Sequence, residues 1–428
     1  MNIAGRLFMD VSYTRTQHGN VGITRTVRRL LDELEASTSC RPVVFHRNGF
    51  RLLAQPEGSQ IATEAPTVDN IPGGLFRWLN SAPVRRLVSL IPKAVLYKAW
   101  RLNNDLTFDS LSKGEEPVAF RSGDYLLLLD QSWNYRVWFA AEQARMLGVH
   151  VVLMVHDLIP IRHPEFCPPL FTEVFQKWLV RMLGCSDMVI CNSAATKTDL
   201  LAWCAEKKLA PPHTAHFRLG CDLPIENGGE VRQSLAKFMQ SSVPVFAAVG
   251  TIEPRKNYPM LLRAFENLWR EGVAAHLLIA GRGSAEERAF VEKLRRHTEQ
   301  GRKLLTLFDA NDRELGHVYS KAQALVLASL AEGFGLPLVE ARMRGCPVIA
   351  SDLQALKELA DEGVSFYHRN SLEELAALLV EQASFEKRSR STLMPCFTWK
   401  NSAEQLIQVL MAIPEKSPLQ IGTNLQPS

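Results

Sequence analysis

The chain has 428 residues, of which 46% are hydrophobic and 22% charged, and its formal net charge is +4. It is too long for one core and too apolar for global disorder, so two α/β domains are expected. The mild positive balance suits a partner that carries phosphates, and no nucleic acid is expected.

Eight cysteines (Cys40, Cys167, Cys185, Cys191, Cys204, Cys221, Cys346 and Cys396) are scattered without a Cys-x-x-Cys pair. That argues against zinc or a disulfide framework and for reduced, mostly buried thiols. Residues 1–10 lack the charged head and longer apolar run of a signal peptide. No stretch approaches the roughly 18 apolar residues of a membrane span. The expectation is a cytoplasmic protein, soluble or peripheral on the inner face of the cell membrane.

In chain order, the apolar run Leu7–Met9 precedes Gly19-Asn-Val-Gly22-Ile-Thr-Arg25, where small residues permit a tight turn. Val43–Phe45 follows. Then the rhythm breaks: between Ile71 and Asn104 lie Arg77, Arg85, Arg86, Lys93, Lys98 and Arg101 with no acidic residue, interleaved with Trp78, Tyr97 and Trp100. Two readings stand for residues 71–104. One is a basic amphipathic segment in peripheral contact with an anionic membrane. The other is an insertion helix packed on its own domain with its basic face in solvent.

Tyr125–Leu129, Val151–Val155 and Met188–Ile190 complete a first series of short apolar runs. Val245–Val249, Leu277–Ile279, Leu304–Leu307, Ala324–Leu327 and Pro347–Ile349 form a second. Each leads into helical spacing, the mark of parallel strands covered on both faces. Two series predict two doubly wound, Rossmann-like domains with a cleft between them. The first covers 1–222 and the second 244–395. Pro224, Asn227, Gly228 and Gly229 break the pattern in a linker, 223–243. A closing helix over 396–413 and a loose polar tail, 414–428, follow.

Three stretches carry chemistry. His156-Asp-Leu-Ile-Pro-Ile-Arg-His163 stands at the carboxyl end of Val151–Val155, where open α/β sheets face their ligand crevice. A histidine there can bond a sugar hydroxyl or share in proton movement, though a lone one is more often just satisfied. Val249-Gly-Thr-Ile-Glu-Pro-Arg-Lys-Asn257 places Arg255 and Lys256 where they can meet two phosphates and neutralise a leaving diphosphate. Its bland reading is a turn that caps the next helix. Glu332-Gly-Phe-Gly-Leu-Pro-Leu-Val-Glu340 follows a buried strand and opens a helix, with Gly333 and Gly335 letting backbone amides approach a ligand. Two carboxylates beside a plain phosphate site would repel it; they fit a ligand with sugar hydroxyls flanking its diphosphate. Asn192-Ser193, before Thr196, reads mainly as a helix N-cap.

The last of these stretches resembles the Glu-x7-Glu signature of the family 4 retaining glycosyltransferases of the GT-B fold, and the likeness extends over most of the chain. It implies that Glu340 holds the donor ribose and that Glu332 contacts the transferred sugar as a catalytic residue. Backbone amides around Gly333, Phe334, Gly335 and Leu336 would face the sugar and phosphate. The turn at 250–257 resembles the family's phosphate turn, with Lys256 on the diphosphate. Thr251 stands where many relatives have an arginine, and Arg255 is the candidate substitute for it. His156 resembles a catalytic residue of mannosyltransferase-like members, with His163 a lesser candidate. Gly19 and Gly22 resemble the family's cleft loop, Leu219–Asp222 its exit from the first domain, and Phe397–Trp399 its crossing back.

The implied activity is transfer of a hexose, mannose or rhamnose favoured, from a nucleotide diphosphate sugar to a growing glycan or lipid-linked acceptor. Retention is implied, as is a role in surface polysaccharide or O-antigen synthesis. The donor leans towards GDP-mannose. No metal and no cofactor beyond the nucleotide-sugar substrate are expected, since no Asp-x-Asp clamp occurs. Two other classes share part of this pattern. A Rossmann oxidoreductase is disfavoured because Gly281-Arg-Gly283 reaches Glu286 where its fingerprint needs glycine. A non-catalytic sugar-binding or scaffold subunit would usually have lost Glu332, Glu340 or His156; a sugar-nucleotide epimerase is weaker still.

Overall fold

The computed structural model describes residues 3–16, 22–46, 49–53, 116–167, 169–221, 230–284, 286–385, 394–395 and 397–414. Gly19, the basic stretch 71–104, the stretch 222–229 and the tail beyond 414 lie outside the described residues.

Seven strands form the first sheet: β1 (Leu7–Asp10), β2 (Arg41–His46), β3 (Gly49–Leu52), β4 (Tyr125–Leu128), β5 (His150–Val155), β6 (Met188–Cys191) and β7 (Thr214–His216). Their order is β3-β2-β1-β4-β5-β6-β7. All neighbours are parallel except β3, which runs antiparallel to β2. The second sheet holds β8 (Val245–Val249), β9 (His276–Ala280), β10 (Leu304–Leu307), β11 (Ala324–Leu327), β12 (Val348–Ser351) and β13 (Val364–Tyr367). Its order, β10-β9-β8-β11-β12-β13, is parallel throughout. The expected pair of doubly wound α/β units is therefore present. Strands β1, β4, β5, β8, β11 and β12 are buried along their whole length, which is why they read as unbroken apolar runs.

Strands β3, β7 and β13 have no counterpart among the predicted runs, and all three are sheet edges. Each is only partly buried, so selection for a continuous apolar run is relaxed there.

The predicted linker contains a helix, Gln233–Met239, with Leu235, Phe238 and Met239 buried in the same cluster as Val245 and Ala247. Ahead of it, Arg232 Nε donates to Glu314 Oε1 at 2.5 Å. The second sheet's packing thus begins before β8. At the other end, the helix Trp399–Met411 returns to the first helix, Gly22–Ser37: Trp399, Leu406 and Leu410 share a core with Val27, Leu30, Leu31 and Leu34. A capping box of Thr398 and Asn401 starts that last helix. Alongside it, Cys221 N donates to Phe397 O at 3.1 Å and Ser402 Oγ to Arg218 O at 2.9 Å. Among the described residues, no helix is long and apolar enough to cross a membrane.

Candidate active site

Strand order reverses between β8 and β11 in the second sheet, and the crevice at such a switch point opens at the strands' carboxyl ends. The loops after these two strands carry the predicted cations and the first predicted glutamate. Arg255 and Lys256 sit on a single 3-10 turn, Pro254–Lys256, and Asn257 takes a left-handed conformation (φ 52°) to start the helix Tyr258–Arg270. Lys256 Nζ donates to Glu332 Oε1 at 2.5 Å and Arg255 Nη1 to Oε2 at 2.9 Å. Ser329 Oγ adds a bond to Oε1 at 2.7 Å. Burial alone would raise the Glu332 carboxyl, but Lys256 and Arg255 outweigh it and hold it down at about 2. Arg255 also pairs with Glu253 at 2.6 Å. Both cations therefore already face carboxylates, and an anionic ligand would share them with Glu332 and Glu253 rather than meet bare charge.

Gly333 is where the two sheets' loops touch. Its carbonyl accepts from Ser193 Oγ at 2.8 Å and Thr196 Oγ1 at 3.1 Å. A Cβ at this position would collide with the His156 carbonyl oxygen and lie 2.9 Å from Asp157 Cβ, so only glycine permits the approach. Ser193 does cap its helix, accepting from Thr196 N at 3.0 Å, and spends its own proton across the cleft. Gly335, at φ 111°, turns the chain into the helix Leu336–Arg342, with Pro337 in its first turn. Glu340 follows on that helix, 3% exposed, accepting from Tyr319 Oη at 2.8 Å and from Arg25 of the first helix. Burial raises its carboxyl despite Arg25.

His156 closes β5. Its Nε2 lies 2.9 Å from the Leu129 carbonyl, which only accepts, so Nε2 carries the hydrogen and Nδ1 the lone pair. Burial pulls the imidazole down to about 4, leaving it neutral at physiological pH. Such a ring accepts from a sugar hydroxyl and does not act as a standing cation. His163 instead pairs with Glu165 at 3.2 Å and stacks on Phe166, away from the cavity lining.

A cavity of about 680 Å³ brings these groups together: Gly22, Arg25 and His156 from the first unit, and Arg255, Lys256, Glu332, Gly333, Phe334, Gly335, Leu336 and Glu340 from the second. A smaller one of about 160 Å³ adjoins it, sharing His156, Asp157 and Arg255 and walled by Trp133, Phe166 and Trp178. Sequence reasoning passed over Asp157 and Arg25, both inside quoted motifs, and Tyr319. It also missed the first sheet's own switch point between β1 and β4. There Asp10 and Asp130 are buried; burial pushes them up to about 7 and about 6, Asp10 further because Asp130 is charged.

Comparison with known proteins agrees with this geometry. Residues 232–390, which span the second sheet and its helices, match the model of the glycosyl transferases group 1. Over 313 residues, 70% of this chain, the sequence is 35% identical to the serotype-specific mannosyltransferase WbdA of Escherichia coli. The match spans only 38% of WbdA. The O-antigen chain mannosyltransferase B of Escherichia coli is 24% identical over 60% of this chain and 68% of its own length. Among solved structures, sucrose-phosphate synthase from Thermosynechococcus elongatus superposes with a TM-score of 0.63 at 18% identity, covering 95% of this chain and 98% of that one. An α,α-trehalose-phosphate synthase (UDP-forming) from Burkholderia xenovorans gives 0.63 at 14% identity, over 96% and 100%. At these identities the structural likeness speaks for the fold.

Proposed function

We propose that the chain transfers a hexose, mannose before rhamnose, from a GDP-linked or similar nucleotide sugar to a growing glycan or lipid-linked acceptor in O-antigen or surface polysaccharide synthesis. The observation that carries this reading is Glu332, clamped by Arg255 and Lys256 in a cavity shared with His156 of the other unit. The named mannosyltransferases above support the choice of sugar.

In this reading the nucleotide diphosphate lies on the second domain, Glu340 takes the ribose hydroxyls and the acceptor enters from the first domain. As the sugar–phosphate bond breaks, Arg255 and Lys256 balance charge growing on the diphosphate. His156, neutral and oriented by Leu129, receives a hydroxyl of the transferred sugar at Nδ1. The reaction retains configuration and uses no metal. Contact of Ser193 and Thr196 with Gly333 limits water around the reacting bond when the units are together. The test is a thermal-shift and transfer assay with GDP-mannose, dTDP-rhamnose and UDP-glucose. The true donor at one hundred times its dissociation constant stabilises the protein by about 2.7 kcal/mol. No shift and no transfer with any of them would refute the reading.

Peripheral membrane contact through residues 71–104 remains part of the proposal. Binding to anionic vesicles should fall steeply with salt, and replacement of Arg85, Arg86, Lys93 and Lys98 by Gln should abolish it.

A further inference from the structure

Glu340 lies on the second domain, yet its nearest cation comes from the first. Arg25 stands one turn into the helix Gly22–Ser37, within the stretch Gly19–Arg25 that the sequence marks as a cleft loop. Its Nη1 donates to Glu340 Oε1, and its Nη2 reaches Asp312 Oδ1 at 3.1 Å. Tyr319 Oη donates to the other carboxylate oxygen, Oε2. The side chains of Arg25 and Glu340 are 8% and 4% exposed, so neither is an ordinary surface pair of little worth. Each oxygen of Glu340 thus has one donor, one from each domain. A carboxylate offers about four acceptor positions in all. The two left over lie on neighbouring oxygens, as the adjacent hydroxyls of a ribose require.

The geometry points to Arg25 as a positioning residue of the donor pocket: it holds Glu340 across the cleft so that the carboxylate can receive the ribose diol of a nucleoside diphosphate. A helix of one domain then completes the nucleotide site of the other. This rests on the donor reading above and extends it, because it gives the first domain a share in nucleotide affinity. Linkage follows: a nucleotide that needs Glu340 in this pose favours the conformation in which Arg25 reaches it. Removing Arg25 leaves Glu340 buried beside Asp312, a like charge, with Tyr319 as its remaining hydrogen-bond donor and Arg344 as a remaining cation.

Titration calorimetry with GDP and with UDP tests this on the full chain, for the parent, Arg25→Ala, Glu340→Gln and the double variant, each checked by its melting curve. Arg25→Ala should weaken whichever nucleotide the parent binds by about 10- to 100-fold. Arg25→Lys should recover part of the loss. The double variant should bind no more weakly than Glu340→Gln alone, because Arg25 acts through that carboxylate. If Arg25→Ala does not fold, Arg25→Gln carries the same cycle. Unchanged affinity in the Arg25 variant, or losses that simply add in the double variant, would overturn the inference alone. A parent that binds neither nucleotide would overturn the reading of the cleft and this inference with it.

Discussion

Lys256 and Glu332 are joined at 2.5 Å in a site where Arg255 grips the same carboxylate from its other oxygen. Glu332 is thus both a candidate contact for the transferred sugar and the internal counter-charge of the turn proposed for the diphosphate. Glu332→Gln separates the two roles. Turnover should fall, while GDP or UDP should bind as tightly as to the parent or more so, since two cations lose their built-in anion. Weaker nucleotide binding in this variant, measured by calorimetry, would count against the assignment of Arg255 and Lys256 to the diphosphate.

Glu340 and His156 are given different tasks, so their variants should fail differently. Ribose hydroxyls do not change during transfer, so a Glu340 that holds them, as proposed, would bind ground and transition states alike. Glu340→Ala should raise the donor KM about 10- to 150-fold with a smaller change in kcat. In the proposed function His156 meets the sugar whose geometry and charge change, so His156→Ala should lower kcat by about 10²- to 10⁴-fold and spare nucleotide affinity. Steady-state kinetics on variants that melt like the parent decide the matter. Parental turnover in His156→Ala would remove the first domain's part of the site.

The neutral state of His156 has its own signature. With a pKa held at about 4 by burial, this ring contributes no titration to the rate between pH 6 and 8. Asp10, pushed up to about 7, acts on stability instead. Its folded form binds a proton more tightly than the unfolded chain, so the contribution is present at low pH and lost as pH rises through about 7. Asp130 faces it with like charge, and Ser12 donates to it from both backbone and hydroxyl. Melting temperature should therefore decline from pH 5 to pH 8, and Asp10→Asn should flatten that slope. An identical slope in the variant would show that the carboxyl titrates elsewhere.

Metal independence is expected because the sequence has no Asp-x-Asp and the cations Arg255 and Lys256 occupy the turn proposed to meet the diphosphate. Transfer should survive excess EDTA unchanged. Activity lost to chelation and restored by magnesium or manganese would contradict this.

The parallel interior of both sheets could be read in the sequence because strands covered on two faces must be apolar throughout, as in Val245–Val249 and Ala324–Leu327. Edge strands escape that demand, and so β13, whose Ser365 is exposed, left no trace. The site followed the same logic. Glu332, Glu340, Arg255 and Lys256 stood in short motifs whose spacing carries meaning within one loop. Arg25 meets Glu340 from 315 residues away, and no local spacing reports which face of a helix will look across a cleft. The pairing of both cations with Glu332 was equally hidden, because charge partners depend on how two separate loops converge after β8 and β11.

The return of the last helix to the first sheet has a mechanical meaning. The points where the chain leaves the first half and where it returns to it are tied together by the bond from Cys221 N to Phe397 O. Halves joined by one strand of chain can swivel about it, and a second, bonded connection restrains that swivelling. Trp399, at the start of the returning helix, is buried in one core with Val27, Leu30 and Leu34 of the first helix, so the end of the chain is anchored on the half where the chain began.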